Sequence, residues 1–264
     1  MFHDMLENER SFASLFAETV RLNNSTLYFN ESLSEDPVFN HLVLDDSLLS
    51  DENVDRLTCE KAFEQANQTS RSLSIPLTLF IEDFWRNSTL VEEIAIDSGF
   101  RVIERMHILS KPIADLAACP SGSESGEVRV FLTTDATLWN RVFMESFSIP
   151  EQWGPELLRR VKEIIRADSA ALVLATLGSS GAVGCTLLHE KPEGVMGVYC
   201  VGTIFSARSR GVARAMMRAS ENIAREAGCT VMVIQTLERD NVTGMYVDKF
   251  GYTINFSRNL LSRS

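Results

Sequence analysis

Val201-Gly-Thr-Ile-Phe-Ser-Ala-Arg-Ser-Arg-Gly-Val-Ala-Arg-Ala-Met-Met217 is the stretch whose reading decides the fold. Its apolar start reads as the end of a strand, its middle as a short polar turn, and its end as a helix. The helix start holds Arg208, Arg210, Gly211 and Arg214. Free backbone N–H groups and the positive pole of the helix dipole make such an end an anion site. Gly211 lets an anion approach the backbone, small Ala213 extends that access, and the arginines add forked donors. Acidic side chains ordinarily favour a helix N-terminus, so three arginines there in an acidic chain are locally unfavourable without an anion. A pyrophosphate is the expected guest; the plainer alternative is a helix start with solvated arginines and a glycine kept for packing.

Working outward, the strand before this turn is Val195 to Ile204, and Ala170 to Thr176 and Val183 to His189 read as two further strands. Val128 to Leu132 is a strand candidate, and Asp135 is placed to cap a helix reaching towards Ser146. Leu157, Leu158, Val161, Ile164 and Ile165 recur at helical spacing within Pro155 to Ile165. After the quoted segment the helix stops at Gly228. Thr230 to Gln235 then reads as a buried strand, Val242 to Lys249 as a short helix and Tyr252 to Leu260 as a last strand.

Upstream, Cys119-Pro-Ser-Gly-Ser-Glu-Ser-Gly126 has the composition of a linker. It predicts a division into residues 1–118, a linker at 119–126 and a second domain at 127–264, each part of ordinary domain size. The end of the first part echoes that of the second. Asp97 to Ser110 lies on Lys249 to Ser262 without a gap, with Gly, an aromatic residue and a closing Leu-Ser coinciding. Before the echo come a helix at Val54 to Ser72, a strand at Ile75 to Ile81 and a helix at Ser88 to Asp97. Internal duplication accounts for both the length and the echo. The first copy has no counterpart of the glycine-containing turn.

Composition limits the function. Apolar residues make up 45% and charged residues 23%, enough for two real cores. A net charge of −11 opposes nucleic acid and anionic membranes and favours a cationic or amine substrate. No stretch reaches the roughly 18 apolar residues of a membrane span, and the N-terminus has charges within its apolar positions, unlike a signal peptide. The expectation is a cytoplasmic protein. Its five cysteines show no zinc-like spacing, so reduced thiols and no metal are expected.

Arg208-Ser-Arg-Gly-Val-Ala213 resembles the R/Q-x-x-G-x-G/A motif of GNAT acetyltransferases, and Asn241 to Tyr252 resembles the family's second signature, an Asn followed by a Tyr-containing helix and Gly-aromatic. The resemblance covers residues 127–264 and implies an α/β fold, a mixed and mostly antiparallel sheet flanked by helices. The first part is similar to a degenerate copy, as in tandem-GNAT proteins. The resemblance also implies acetyl-CoA as co-substrate. Its pyrophosphate would rest on Arg208, Ser209, Arg210, Gly211, Val212, Ala213 and Arg214, its pantetheine on Val201, Gly202 and Thr203, and Asn241 would join the cofactor site. Acetyl transfer would run directly to an amine on a small molecule or peptide.

Two positions depart from the family pattern. The family's tyrosine, expected to act as general acid, falls one residue off: Val247 stands there and Tyr246 precedes it, a rotation of about 100° on a helix. Gly197 stands where some members carry a glutamate base. His189, Glu190, Glu193 and Glu238 are read as solvated strand-end residues. Cys200 as a nucleophile lacks a histidine partner, Trp139, Phe143 and Trp153 are read as core, and His3, His41 and His107 form no pattern. A non-catalytic acyl-CoA-binding regulator therefore stays open beside the enzyme, as does a scaffold that binds nothing.

Overall fold

The computed structural model describes residues 2–46, 48, 55–113 and 127–263. The expected linker at 119–126 and Val54, the expected start of a helix, lie outside the described residues. In chain order the elements begin with α1 (Phe2–Phe16), β1 (Glu18–Arg21), β2 (Ser25–Phe29), β3 (His41–Leu44), α2 (Arg56–Ser72), β4 (Thr78–Glu82), α3 (Ser88–Asp97) and β5 (Phe100–Pro112). There follow β6 (Val128–Thr133), α4 (Ala136–Phe147), α5 (Gly154–Arg166), β7 (Ala171–Leu177), β8 (Ala182–Glu190) and β9 (Val195–Thr203). The last are α6 (Val212–Glu226), β10 (Val231–Leu237), α7 (Thr243–Phe250) and β11 (Thr253–Arg263).

These elements pack as two compact units, each drawn from separated parts of the chain. One unit joins Met1–Leu15 to Ser110–Ile234, and the other joins Phe16–Leu109 to Gln235–Ser264.

In the first unit the strands run in the order β10-β9-β8-β7-β6, with β9 and β10 parallel and the other neighbours antiparallel. Parallel neighbours need a crossover, and α6 supplies it. Asp135 caps α4 by accepting from Leu138 N at 2.9 Å, and α5 buries Leu157, Val161 and Ile164 on one face. The N-terminal helix is built into this unit. Asn8 is fully buried; its Nδ2 donates to His189 O at 3.1 Å and Val195 O at 3.2 Å, and its Oδ1 accepts from the Tyr199 hydroxyl at 2.6 Å. The Phe12 ring lies flat on Tyr199, with centroids 3.6 Å apart and planes at 4°. Gly197 makes this seat possible, since a Cβ there would overlap Asn8 Oδ1 and the Tyr199 ring.

In the second unit the order is β1-β2-β3-β4-β11-β5, with β3 and β4 parallel. Its core gathers Leu27, Leu42, Phe63, Leu79, Phe100 and Leu261. The echo between residues 97–110 and 249–262 has a structural counterpart. Both segments give a strand, β5 and β11, entered through a glycine at positive φ, 91° at Gly99 and 74° at Gly251. The C-terminal strand β11 pairs antiparallel with β4, Arg258 opposite Glu82 and Ser262 opposite Thr78. Just past β5, Ile113 N donates to Thr230 O at 2.8 Å, both residues belonging to the first unit.

A charged cluster crosses this second core. Arg258 Nη2 lies 3.4 Å from Glu82 Oε1, with both side chains 2% exposed. The Arg258 guanidinium sits over Phe80 at 5.1 Å, and His41 stacks on Phe80 at 4.1 Å and on Tyr28 at 4.9 Å. Burial, then the Arg258 charge, push the His41 imidazole down to about 3. Above the unfolded value near 6.5 the ring is neutral in both states and contributes no pH dependence. Below it the unfolded chain takes up a proton that the native state refuses, so stability falls by about 1.4 kcal/mol per pH unit for this group. Urea unfolding between pH 6.5 and pH 5 should show this loss in the wild type and a shallower pH slope in His41→Phe; equal slopes would refute it.

Candidate functional site

The chemistry read from residues 201–217 falls on the first unit, where the pairing of β9 is interrupted on both sides. Against β10 its ladder runs from Val195 opposite Val231 to Gly197 opposite Val233, and β9 continues past that end to Thr203. Against β8 the register slips, with Leu187 opposite Tyr199 but Cys185 opposite Gly202. The extra residue makes a bulge, and Cys200 takes the left-handed conformation at φ 56°. A non-glycine residue held there is strained, a feature that clusters at functional sites. Hydrogen bonds fix the bulge: Thr186 Oγ1 donates to Tyr199 O at 2.9 Å, Cys185 Sγ to Cys200 O at 3.5 Å, and Trp139 Nε1 to Thr186 O at 3.0 Å. Bulged backbone turns its N–H and C=O groups out of the ladder, so Val201, Gly202 and Thr203 lead from an irregular strand into the turn.

The turn is suspended between two buried anchors. Ala207, 3% exposed, ends a short 3-10 turn that begins at Phe205, and Val212, 1% exposed, begins α6. Both pack with Val128, Leu177, Val183 and Met216. Between them Ser209 and Gly211 sit at φ 61° and 85°. Among the described residues, the first backbone N–H of α6 to bond back is that of Ala215, to Gly211 O at 3.0 Å. The earlier N–H groups of the helix point out of its end, as helix geometry requires. A Cβ on Gly211 would meet no atom within 4 Å, so the space above this backbone is open. Exposed N–H donors over an open cradle fit a phosphate or pyrophosphate.

The arginines divide their work. Arg208 donates Nε to Thr203 O at 3.1 Å and Nη2 to Ser146 O at 2.9 Å, and its guanidinium lies 5.6 Å from the centre of the exposed Phe205 ring. It braces the turn against β9 and against the C-terminal pole of α4, where a cation is favoured. Arg210 reaches Glu127 at 3.4 Å in an exposed pair, an arrangement worth about 0–1 kcal/mol. Arg214 is exposed on the first turn of α6.

Tyr246 and Asn241 belong to the second unit, whereas residues 201–214 belong to the first. Tyr246 is the buried residue of α7, while Val247 is 36% exposed, so the helix turns the tyrosine inward despite its offset in sequence. Its ring meets Tyr252 edge-on at 5.9 Å. Burial raises the phenol to about 12, so it keeps its proton at neutral pH. Asn241 is exposed at φ 52° after a 3-10 turn.

The strand-end residues behave unequally. Glu190, Glu193 and Glu238 are exposed, as expected. His189 is instead 4% exposed. Its Nδ1 faces Ser169 O at 2.7 Å and must donate, so Nε2 accepts from the Ser11 hydroxyl at 2.9 Å. Burial lowers its pKa and keeps it neutral. The ring is a strut for α1, with its lone pair engaged. Asn8, Ser11 and Phe12 escaped the sequence reading because their partners lie far along the chain; the only local signal was the strand glycine Gly197. Burial pushes the Cys185 thiol up to about 12. Among the described residues no group of three or more His, Cys, Asp or Glu could hold a metal ion, and no helix is long and apolar enough to cross a membrane.

Residues 137–252 match the acetyltransferase (GNAT) family, so this part of the chain is a GNAT domain. No curated protein matches the sequence. Among solved structures, a GCN5-related N-acetyltransferase from Kribbella flavida superposes with a TM-score of 0.67 at 14% identity, covering 98% of this chain and 95% of that one. One from Sphaerobacter thermophilus gives 0.66 at 14% identity, covering 92% and 82%. A conserved protein of unknown function from Staphylococcus epidermidis gives 0.63 at 12% identity, covering 95% of both chains. At such identities the likeness is one of fold, and it extends over nearly the whole chain.

If Arg208 is a brace, Arg208→Ala should lower the stability to urea by about 1–2 kcal/mol, because two carbonyls lose a charged donor. Arg210→Ala should change it by less than about 0.5 kcal/mol. Equal effects in the two variants would contradict the assignment.

Proposed function

We propose that the chain is an acetyl-CoA-dependent N-acetyltransferase that passes the acetyl group directly to an amine. The observation that carries this reading is the Gly211 turn, held rigid at Ala207 and Val212 and open above its backbone. In this proposal the N–H groups of Ser209, Arg210, Gly211, Val212, Ala213 and Arg214 hold the pyrophosphate, with charge from Arg210 and Arg214, while Arg208, whose own N–H donates to Phe205 O at 3.2 Å, braces the turn. Val201, Gly202 and Thr203 bind the pantetheine through their backbone, and Asn241 joins the cofactor site. Coenzyme A supplies an activated thioester, and no metal is required.

The residues then have separate tasks. A backbone N–H of β9 polarises the thioester carbonyl as the neutral amine attacks. Tyr246 retains its proton and donates it to the departing thiolate as the C–S bond breaks, and the proton lost by the attacking nitrogen returns through solvent to restore the phenol. Binding both reactants beside one rigid strand gives the main rate advantage, through proximity. The acceptor is an amine on a small molecule or peptide, drawn by the chain's net charge of −11, rather than nucleic acid or a membrane. We assign the protein to the cytoplasm. We further read the chain as two GNAT-like copies, 1–118 and 127–264, joined at 119–126, the first having lost both motifs.

Thiol release from acetyl-CoA across an amine panel tests the enzyme reading. Wild-type turnover should exceed the amine-free rate, and Tyr246→Phe should lower kcat at least about tenfold with acetyl-CoA affinity unchanged. Binding without release on any amine would leave an acyl-CoA-binding regulator in its place.

A further inference from the structure

Followed backwards from the phosphate turn, β9 leads past Thr203, Gly202 and Val201 to the bulge at Cys200. Resting on the coenzyme reading above, this path carries the pantetheine, and its thioester ends at the bulge. The next residues along the strand are Tyr199, Val198 and Gly197, and at Gly197 the ladder to β10 begins. On that reading the acyl group is directed along β9 towards the end of its ladder with β10. The N-terminal helix lies over this part of β9, and its contacts run to β8 and β9. Asn8 occupies the notch over Gly197, and Phe12 covers Tyr199 face to face.

We propose that α1 sets the acyl-chain length of this site, with Asn8, Phe12 and Tyr199 as a stop that admits acetyl and excludes longer chains. The stop is rigid for reasons visible in its contacts. Asn8 is fixed by three hydrogen bonds to β8 and β9 residues. Tyr199 is held at its hydroxyl by Asn8 and on its face by Phe12, and both rings are 5% exposed. His189 anchors the same helix through Ser11. Close-packed interiors resist even one added methylene, so a butyryl chain reaching this part of β9 would have to displace a saturated polar network. The first residues of the chain thus determine specificity in a site whose cofactor loop lies some two hundred residues later.

The test is calorimetric titration of the full-length protein with CoA, acetyl-CoA, butyryl-CoA and hexanoyl-CoA, which needs no acceptor. The wild type should bind CoA and acetyl-CoA with similar affinity and butyryl-CoA at least about tenfold more weakly. Phe12→Ala should narrow the gap between acetyl and butyryl by about tenfold, because the vacated ring volume accepts two methylenes, and should leave the affinity for CoA itself unchanged. Should Phe12→Ala fail to fold, Phe12→Leu opens less space, and a narrowing of about threefold is expected. Equal affinity of the wild type for acetyl-CoA and butyryl-CoA, or an unchanged gap in a folded variant, overturns the inference alone. Absence of CoA binding to the folded wild type overturns the coenzyme reading and this inference with it.

Discussion

The burial of Ala207 and Val212 on either side of a four-residue turn is the constraint on which the candidate site depends. Each end of the turn is pinned by apolar contact with β6, β7, β8 and α6, which leaves Arg208 to Gly211 no freedom to collapse onto the protein. Burying one valine contributes on the order of 2 kcal/mol, enough to hold Ser209 and Gly211 at positive φ. The direction of the exposed N–H groups follows from those dihedrals, and the open volume over Gly211 follows from the missing side chain. Arg208 adds a polar tie between the same turn, β9 and α4. An anion site is thereby built mostly from backbone, with side-chain charge secondary.

A second constraint acts on the same strand from the other direction. Gly197 has no side chain because Asn8 and Tyr199 fill that space, and a helix from the start of the chain is locked to strands near residues 189 and 195–199. The chain's ends are thus traded between units, with α1 in the first and β11 in the second. Each unit draws on both halves of the chain, so fragments cut at 119–126 would each lack part of a unit.

Much of this was legible before the structure. The strand, turn and helix at 195–226, the cap at Asp135, the helical stripe from Leu157 to Ile164 and the glycine entries at Gly99 and Gly251 all rest on local chemistry. Local signals fail where pairing decides. β1 and β3 have four residues each, and β1 reads Glu-Thr-Val-Arg with exposed ends, so neither offers a period to detect. The Cys200 bulge exists only relative to the register of β8. His189 looked like a solvated strand end because Ser11 and Asn8, which bury it, lie far away in sequence. The arginines were visible as charge, but the carbonyls that capture Arg208 belong to other elements. Tyr246, one residue off the family spacing, is the residue that α7 buries, which its sequence position alone did not indicate.

The most direct test of the central claim, that the Gly211 turn holds the coenzyme, is calorimetric titration of CoA into the wild type and into Gly211→Glu, with thermal unfolding of both as control. The glutamate would fill the open space above the turn with bulk and negative charge. Binding near micromolar in the wild type, weakened at least about a hundredfold in a folded variant, is the predicted result. Equal affinities, or no binding by the folded wild type, would contradict the account.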